Sequence, residues 1–407
     1  MLDQIVSHLS GQKQTVIDVQ RKLVGIPALA PENGGNGERA KADFLKEYLK
    51  SIGVNDVREF NAPDPRVPCG HRPNLMAMIP GKDASRTFWN IAHMDVVPPG
   101  DRALWKCDPF ELVAEGDIVS GRGTLDNQQG LVGALLVAKA LKEKGIVPPI
   151  NYGLVFVSDE ETGNAYGADF LMRNHHDIFN TQDLFLIPDF GNETSELIDV
   201  AEKSVLWVKV TVLGKQCHAA RPSEGVNSLT AASAFILKTR DLHRQFDQKD
   251  ELFYPPFSTF EPTKKEANVQ NVNTMPGRDV FYIDCRVLPD YQLQDILAAI
   301  RTLGGDVSKE YGVKIEVEVV QSTQAPPPTP NDCEILKRLV PAIRSVYGCS
   351  PKPTGVGCFT VAICLRRAGF PVVVWGTHDD CAHQPNEFSR ISKTIDDAKV
   401  MAHVLFG

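Results

Sequence analysis

A chain of 407 residues is too long for one ordinary hydrophobic core, so two compact units, or one large unit carrying an insertion, are expected. With 43% hydrophobic and 23% charged residues it belongs with folded globular proteins, which excludes a disordered or low-complexity chain. A formal net charge of -8, with no dense Lys/Arg block, excludes a nucleic-acid backbone as the principal partner and favours a small molecule.

The first sixteen residues are polar and amphipathic, with no basic leader followed by an apolar stretch. No run anywhere approaches bilayer length, so no membrane association is expected and the location is read as cytoplasmic. Nine cysteines, scattered from Cys69 to Cys381 without a CxxC pair, read as reduced thiols rather than a disulfide framework or a cysteine zinc knuckle. Helical periodicity over 18–49 is interrupted by a Pro/Gly/Asn-rich stretch at 26–37. Extended segments then continue through 76–79.

Next comes a recurring theme: an apolar run, a sudden polar cluster, then an amphipathic helix. Residues 88–92 precede His93 and Asp95, 153–157 precede Ser158 to Glu161, and 184–187 precede Pro188 and Asp189. Buried strands alternating with helices such as 129–144 predict an α/β domain with a mostly parallel sheet. Chemistry in such sheets gathers at the carboxyl ends of the strands.

From residue 202 the rhythm changes. An alternating strand at 205–213, a helix at 229–246, extended segments at 268–272 and 280–287, a helix at 291–311 and a strand at 314–320 follow the β-α-β-β-α-β order of a ferredoxin-like α+β unit. Four prolines between Ala325 and Pro330 make a stiff connector. A helix at 333–346, a helix-like 362–368 and a strand at 371–375 then resume the α/β style. The expected domains are therefore 1–201 with 322–407, and an insertion at 202–321.

Taken singly, the polar clusters are ambiguous. His93 and Asp95 are two apart and share one side of an extended chain, as a polar strand end also would. Asp126, in the glycine-bearing segment GRGTLDN (121–127), has the look of an N-cap, and Asp189 that of a turn acid. The run Ser158-Asp159-Glu160-Glu161-Thr162-Gly163 is harder to explain, because consecutive acids after an apolar strand repel one another unless cations compensate them. Adjacent glutamates can divide labour, one binding a metal and the other accepting a proton from water. His383 in AHQPNE (382–387) supplies a second imidazole. Such a set suits a divalent metal with mixed N/O ligands, and six or so candidates with one shared carboxylate suit two ions better than one.

These residues, in this order and over nearly the whole chain, resemble the dinuclear zinc amidohydrolases that include acetylornithine deacetylase, succinyl-diaminopimelate desuccinylase, aminoacylase and the glutamate-releasing carboxypeptidases. The inserted unit adds GKQCHAARPSEGVN (214–227) and NTMPGRDVFYIDCR (273–286). The resemblance implies a zinc-peptidase-like catalytic domain with an inserted lid that also forms a homodimer interface, and two Zn2+ per subunit, replaceable by Co2+ or Mn2+. By the same resemblance Asp126 bridges both ions, His93 and Asp189 complete one site, Glu161 and His383 the other, and Asp95 supports His93. Glu160 becomes the general base and His218, from the same subunit or lent by the partner, stabilises the oxyanion. Asn273 and Arg286 hold a substrate carboxylate, with Thr360 lining the substrate pocket.

The match departs in two places. Asn127 stands where most relatives carry a second acid, as in the archaeal-type branch with its DNQQG sequence, and the resemblance implies a cis peptide between Asp126 and Asn127. Phe359 replaces a glycine of that branch's GGGT and reshapes the pocket. The function implied is hydrolysis of the amide of an N-acyl amino acid. A carboxypeptidase or dipeptidase, and from another class a non-catalytic metal-binding dimer, are the alternatives. Cys217 as a nucleophile beside His218, or a further cluster at His378, Asp379 and Asp380, is a poorer reading.

Overall fold

The computed structural model describes all 407 residues, Met1 to Gly407. The chain divides into two compact units, one formed by Met1–Val200, Pro328–Thr354 and Thr360–Gly407, the other by Ala201–Pro327 with Gly355–Phe359.

The first unit is built on an eight-stranded sheet in the order Val57–Pro63, His71–Ile79, Ile150–Val157, Asp83–His93, Leu184–Gly191, Val372–Gly376, Leu197–Glu202 and Lys352–Val356. The four strands from Ile150–Val157 to Val372–Gly376 run parallel, and antiparallel pairings lie outside them. All eight residues of Ile150–Val157 are buried, which is why these strands appear in the sequence as unbroken apolar runs. Gly153 is required there, since a Cβ would fall 2.1 Å from the Trp89 ring. Because the four strands point the same way, His93, Val157, Pro188–Asp189 and Gly376 emerge along one edge of the sheet.

Helix Gln128–Lys144 packs on Asp83–His93 and Leu184–Gly191, and against the C-terminal helix Ile391–Phe406, which also meets Glu334–Tyr347. It is buried over most of its circumference, so its sequence lacks a polar stripe. Its first turn meets the end of Leu184–Gly191 so closely that a Cβ on Gly130 would fall 2.3 Å from the Pro188 carbonyl. No helix is long and apolar enough to cross a membrane, and the nine cysteines carry no disulfide.

The second unit is a four-stranded antiparallel sheet in the order Thr259–Lys265, Arg278–Val287, Ser204–Leu213, Lys314–Thr323, with helices Ser228–Lys238 and Leu293–Tyr311 packed on it. Its core joins Val208, Val210 and Val212 to Phe235, Phe281, Ile283, Ile296 and Ile300. The ferredoxin-like strand order holds, but one strand lies elsewhere than expected. Residues 268–272 form a loop with Val272 fully exposed, and the strand is Thr259–Lys265. Pro262 disguises it, and is tolerated because the strand is at the sheet edge and its register shifts between Pro262 and Lys264. The helix expected over 229–246 breaks at Thr239–Asp241, where the Thr239 hydroxyl donates back to the Ile236 carbonyl at 2.7 Å.

Candidate metal centre

The site grows from loops at the carboxyl edge of the parallel strands. His93 ends its strand with only 1% of its surface exposed. Its Nδ1 lies 3.0 Å from the Asp95 carbonyl, so Nδ1–H donates there and Nε2 is left to face Asp126 Oδ1 at 2.8 Å and Asp189 Oδ1 at 3.5 Å. Asp126 is held from beneath by Glu387. One Glu387 oxygen accepts the Leu125 and Asp126 N–H groups at 2.9 and 3.0 Å, and the other accepts Gly123 N–H at 3.1 Å and Arg122 Nη1 at 2.7 Å. The second Asp126 oxygen lies 3.0 Å from His383 Nε2, which is in turn 3.2 Å from Glu161 Oε2.

The three consecutive acids after Val157 go three different ways. Asp159, with φ of 65°, turns its carboxylate toward Arg72 at 3.4 Å and accepts the Tyr166 N–H at 3.0 Å. Arg72 is buried and also paired with buried Glu38. Asp95 accepts the N–H groups of Glu160 and Glu161 at 3.1 and 3.0 Å. That grip fixes the turn, aims Glu161 at His383 and leaves Glu160 among the remaining acids. Asp95 thus meets His93 chiefly through its main-chain oxygen, its carboxylate lying 3.6 Å from Nδ1.

Two sets of donors result, His93 with Asp126 and Asp189, and Asp126 with Glu161 and His383. Within each, the donor atoms lie within 4.8 Å of one another, and Asp126 is common to both. The electrostatics demand positive charge. Burial pushes Glu160 well above the ordinary carboxylate range, helped by the charges of Asp189, Glu161 and Asp126, and it lifts Glu161 to about 7. Burial would depress His93, but Asp189 and Asp126 overcome it and hold the imidazole well above its usual value. Hydrogen bonds to Asp126 and Glu161 carry His383 to about 10. Burial also acts upward on Asp126, yet the two histidines hold it below the carboxylate range. Glu161 Oε1 is buried without a hydrogen-bond partner. An orphaned carboxylate oxygen among mixed imidazole and carboxylate donors fits a hard-to-borderline divalent cation.

The other expected residues lie as follows. Buried Thr360 accepts the Ala362 N–H at 3.1 Å where the short helix Ala362–Arg367 begins. In the second unit, exposed His218 pairs with Thr274 in a short ladder, and its Nδ1 accepts the Ala220 N–H at 3.0 Å, which leaves the ring proton on Nε2. The neighbouring Asn273 carbonyl accepts Ala219 N–H at 2.9 Å. The Nε and Nη2 edge of Arg286 grips Asp284 at 2.7 and 3.0 Å, while Nη1 donates to the Gly357 carbonyl at 2.9 Å. Cys217 Sγ faces the carbonyls of His218 and Arg221, and Asp379 pairs with Arg390 at 3.0 Å. The sequence reading missed the work of Glu387, Arg122, Asp159 and Arg72. The acid of PNE and the arginine of GRG were visible as motif letters, but nothing in one chain told that they pair.

The family model of peptidase family M20/M25/M40 matches residues 91–406. Over 96% of its length the chain is 36% identical to an uncharacterized metallohydrolase of Methanocaldococcus jannaschii, 99% of which is covered. Over 91% it is 24% identical to a succinyl-diaminopimelate desuccinylase of Nitratiruptor sp., 94% of which is covered. Among solved structures, a di-peptidase from Saccharomyces cerevisiae superposes with a TM-score of 0.72 at 18% identity, covering 100% of this chain and 98% of that one. An M20 family metallo-carboxypeptidase from Sulfolobus solfataricus does so with a TM-score of 0.72 at 18% identity, covering 96% and 98%.

Proposed function

Starting from a chain that belongs to peptidase family M20/M25/M40, we propose that it is a two-zinc hydrolase that cleaves the linear amide of an N-acyl amino acid bearing a free carboxylate. The observation that carries this reading is Asp126, shared between two imidazole-containing donor sets with Glu160 alongside. His93, Asp126 and Asp189 would hold one ion, and Asp126, Glu161 and His383 the other, with Co2+ or Mn2+ as substitutes for Zn2+. Bound there, the pair would supply Lewis-acid polarisation of the scissile carbonyl and a water of lowered pKa.

The chain's own groups do the rest. Glu160 takes a proton from the attacking water at its carboxylate and returns it to the departing nitrogen. Its burial favours the protonated form and so the uptake. Asp95 orients both His93 and the Glu160–Glu161 turn. His218, whose proton is left on Nε2 by the Ala220 contact, is assigned the tetrahedral oxyanion. Asn273 and Arg286 are assigned the substrate carboxylate. Asp284 takes the Nε and Nη2 edge and the Gly357 carbonyl one Nη1 proton, which leaves one proton on each terminal nitrogen for a second acid. We assign the second unit the role of lid and homodimer interface, and Thr360 a place in the substrate pocket. We assign the chain a cytoplasmic location, on the scattered cysteine pattern of the sequence.

The test is a panel of N-acetyl and N-succinyl amino acids, dipeptides and tripeptides, each with a free or an amidated C-terminus, assayed with Zn2+, Co2+ and Mn2+. Turnover of N-acyl amino acids that collapses on amidation supports the reading. Turnover confined to dipeptides or to C-terminal residues of longer peptides replaces it with a dipeptidase or carboxypeptidase. No turnover of any linear amide, with metals bound, contradicts it.

A further inference from the structure

Among the proposed ligands, Asp189 is held by the side-chain amide of a neighbouring residue. Asn127 is wholly buried between Asp126 and the start of helix Gln128–Lys144. Its amide nitrogen donates to the Pro188 carbonyl at 2.9 Å and to Asp189 Oδ1. Both amide protons are therefore committed to the strand end that carries Asp189, while the Asn127 oxygen is buried with no partner. Leaving that oxygen unsatisfied costs stability, so the two donations are what keep the residue in this orientation. The absence of a side chain at Gly130 lets the same strand end approach the helix.

An aspartate of the same shape would set a third carboxylate against Asp189 and the Pro188 carbonyl, with no proton to give. An apolar residue would leave Asp189 Oδ1 to be steadied by His93 alone, at 3.5 Å. Asp126 and His383, by contrast, are placed by Glu387 and by Arg122, whose Nη2 donates to the His383 carbonyl. Neither depends on the Asn127 amide.

We propose that Asn127 is a positioning residue that fixes the Asp189 carboxylate and so sets the divalent-cation affinity of the His93/Asp126/Asp189 set without altering that of the Asp126/Glu161/His383 set. The proposal rests on the two-ion reading above. Groups that orient a metal ligand are typically worth about 10- to 100-fold in affinity, and that is the size of the effect expected here.

The experiment is a titration of metal-free, full-length protein with Co2+, followed by visible absorption and by calorimetry. His383→Ala, which removes a ligand of only one set, identifies the equivalent belonging to the other. In wild type two equivalents bind. In Asn127→Ala, and in the bulkier apolar Asn127→Leu, the equivalent that survives His383→Ala weakens by about 10- to 100-fold with an altered absorption band, and the other keeps its wild-type Kd. Asp189→Ala combined with Asn127→Ala weakens that equivalent no further than Asp189→Ala alone. Thermal unfolding of each metal-free variant establishes that it is folded before its constants are compared. Fewer than two equivalents in wild type would refute the two-ion reading itself. Two equivalents in wild type with unchanged constants in whichever Asn127 variant folds, or equal weakening of both, would overturn the role given to Asn127.

Discussion

Replacing Glu387 by Gln strikes the loop that carries Asp126, and its cost can be worked from the contacts. The oxygen that serves Leu125 and Asp126 N–H survives as the amide oxygen, so those two bonds remain. The other oxygen becomes an NH2 group facing two donors, Gly123 N–H and Arg122 Nη1. Arg122 is 2% exposed and stacks on Trp105 at 5.2 Å, so its charge has no route to water. Breaking one partner of a buried ion pair costs about 3–5 kcal/mol, against a total stability of about 5–15 kcal/mol for a domain. The assay is urea unfolding of metal-free protein in a Trp207→Phe background, where Trp89, Trp105 and Trp375 all report on the first unit. Glu387→Gln should lose about 3–5 kcal/mol, and adding Arg122→Met should restore part of it by removing the stranded cation. A loss under about 1 kcal/mol, or no recovery in the double variant, would refute the buried-pair reasoning.

Glu160→Gln should lower kcat by several orders of magnitude while metal content, measured by elemental analysis, stays at the wild-type value; near-normal turnover removes Glu160 as the base. His218→Ala should lower kcat about a hundredfold, the loss of one oxyanion donor, with little change in metal content. The Arg39 hydrogen bond, with Lys46, pulls Glu59 down to about 2. Its folded value is depressed, so the stabilisation is complete above the ordinary carboxylate range and lost as pH falls toward 2. With solvent screening it is worth about 1–2 kcal/mol. Glu59→Gln should be less stable than wild type at pH 7 and converge with it near pH 2, read from Tm against pH. Gly153→Ala, which drives a Cβ to 2.1 Å from Trp89, should cost about 1–3 kcal/mol or more by the same urea assay.

The candidate donors that follow strands are legible in the chain because parallel strands deliver their carboxyl ends to one edge. His93, Asp189 and the Ser158–Glu161 run each follow an apolar run, and the sheet order does the gathering. Asp126 and His383 belong to loops, where strand periodicity says nothing, and there the resemblance to a known hydrolase family carried the reading. The supports were illegible. Glu387 and Arg122 are 265 positions apart, and Asp159 looks like one more acid until Arg72 is found beside it. The motif that offers Arg286 to a carboxylate does not show that Asp284, two residues before it on the same strand face, occupies one edge of the guanidinium. The edge strand Thr259–Lys265 hid behind Pro262 because a single sequence does not reveal which strand is an edge.

In the proposed mechanism Asp126 lies between two bound ions. Anomalous diffraction at the zinc absorption edge from zinc-loaded crystals tests it most directly. Two peaks flanking Asp126 are expected, one among His93, Asp126 and Asp189 and one among Asp126, Glu161 and His383. A single peak at this cluster, or none, would contradict it.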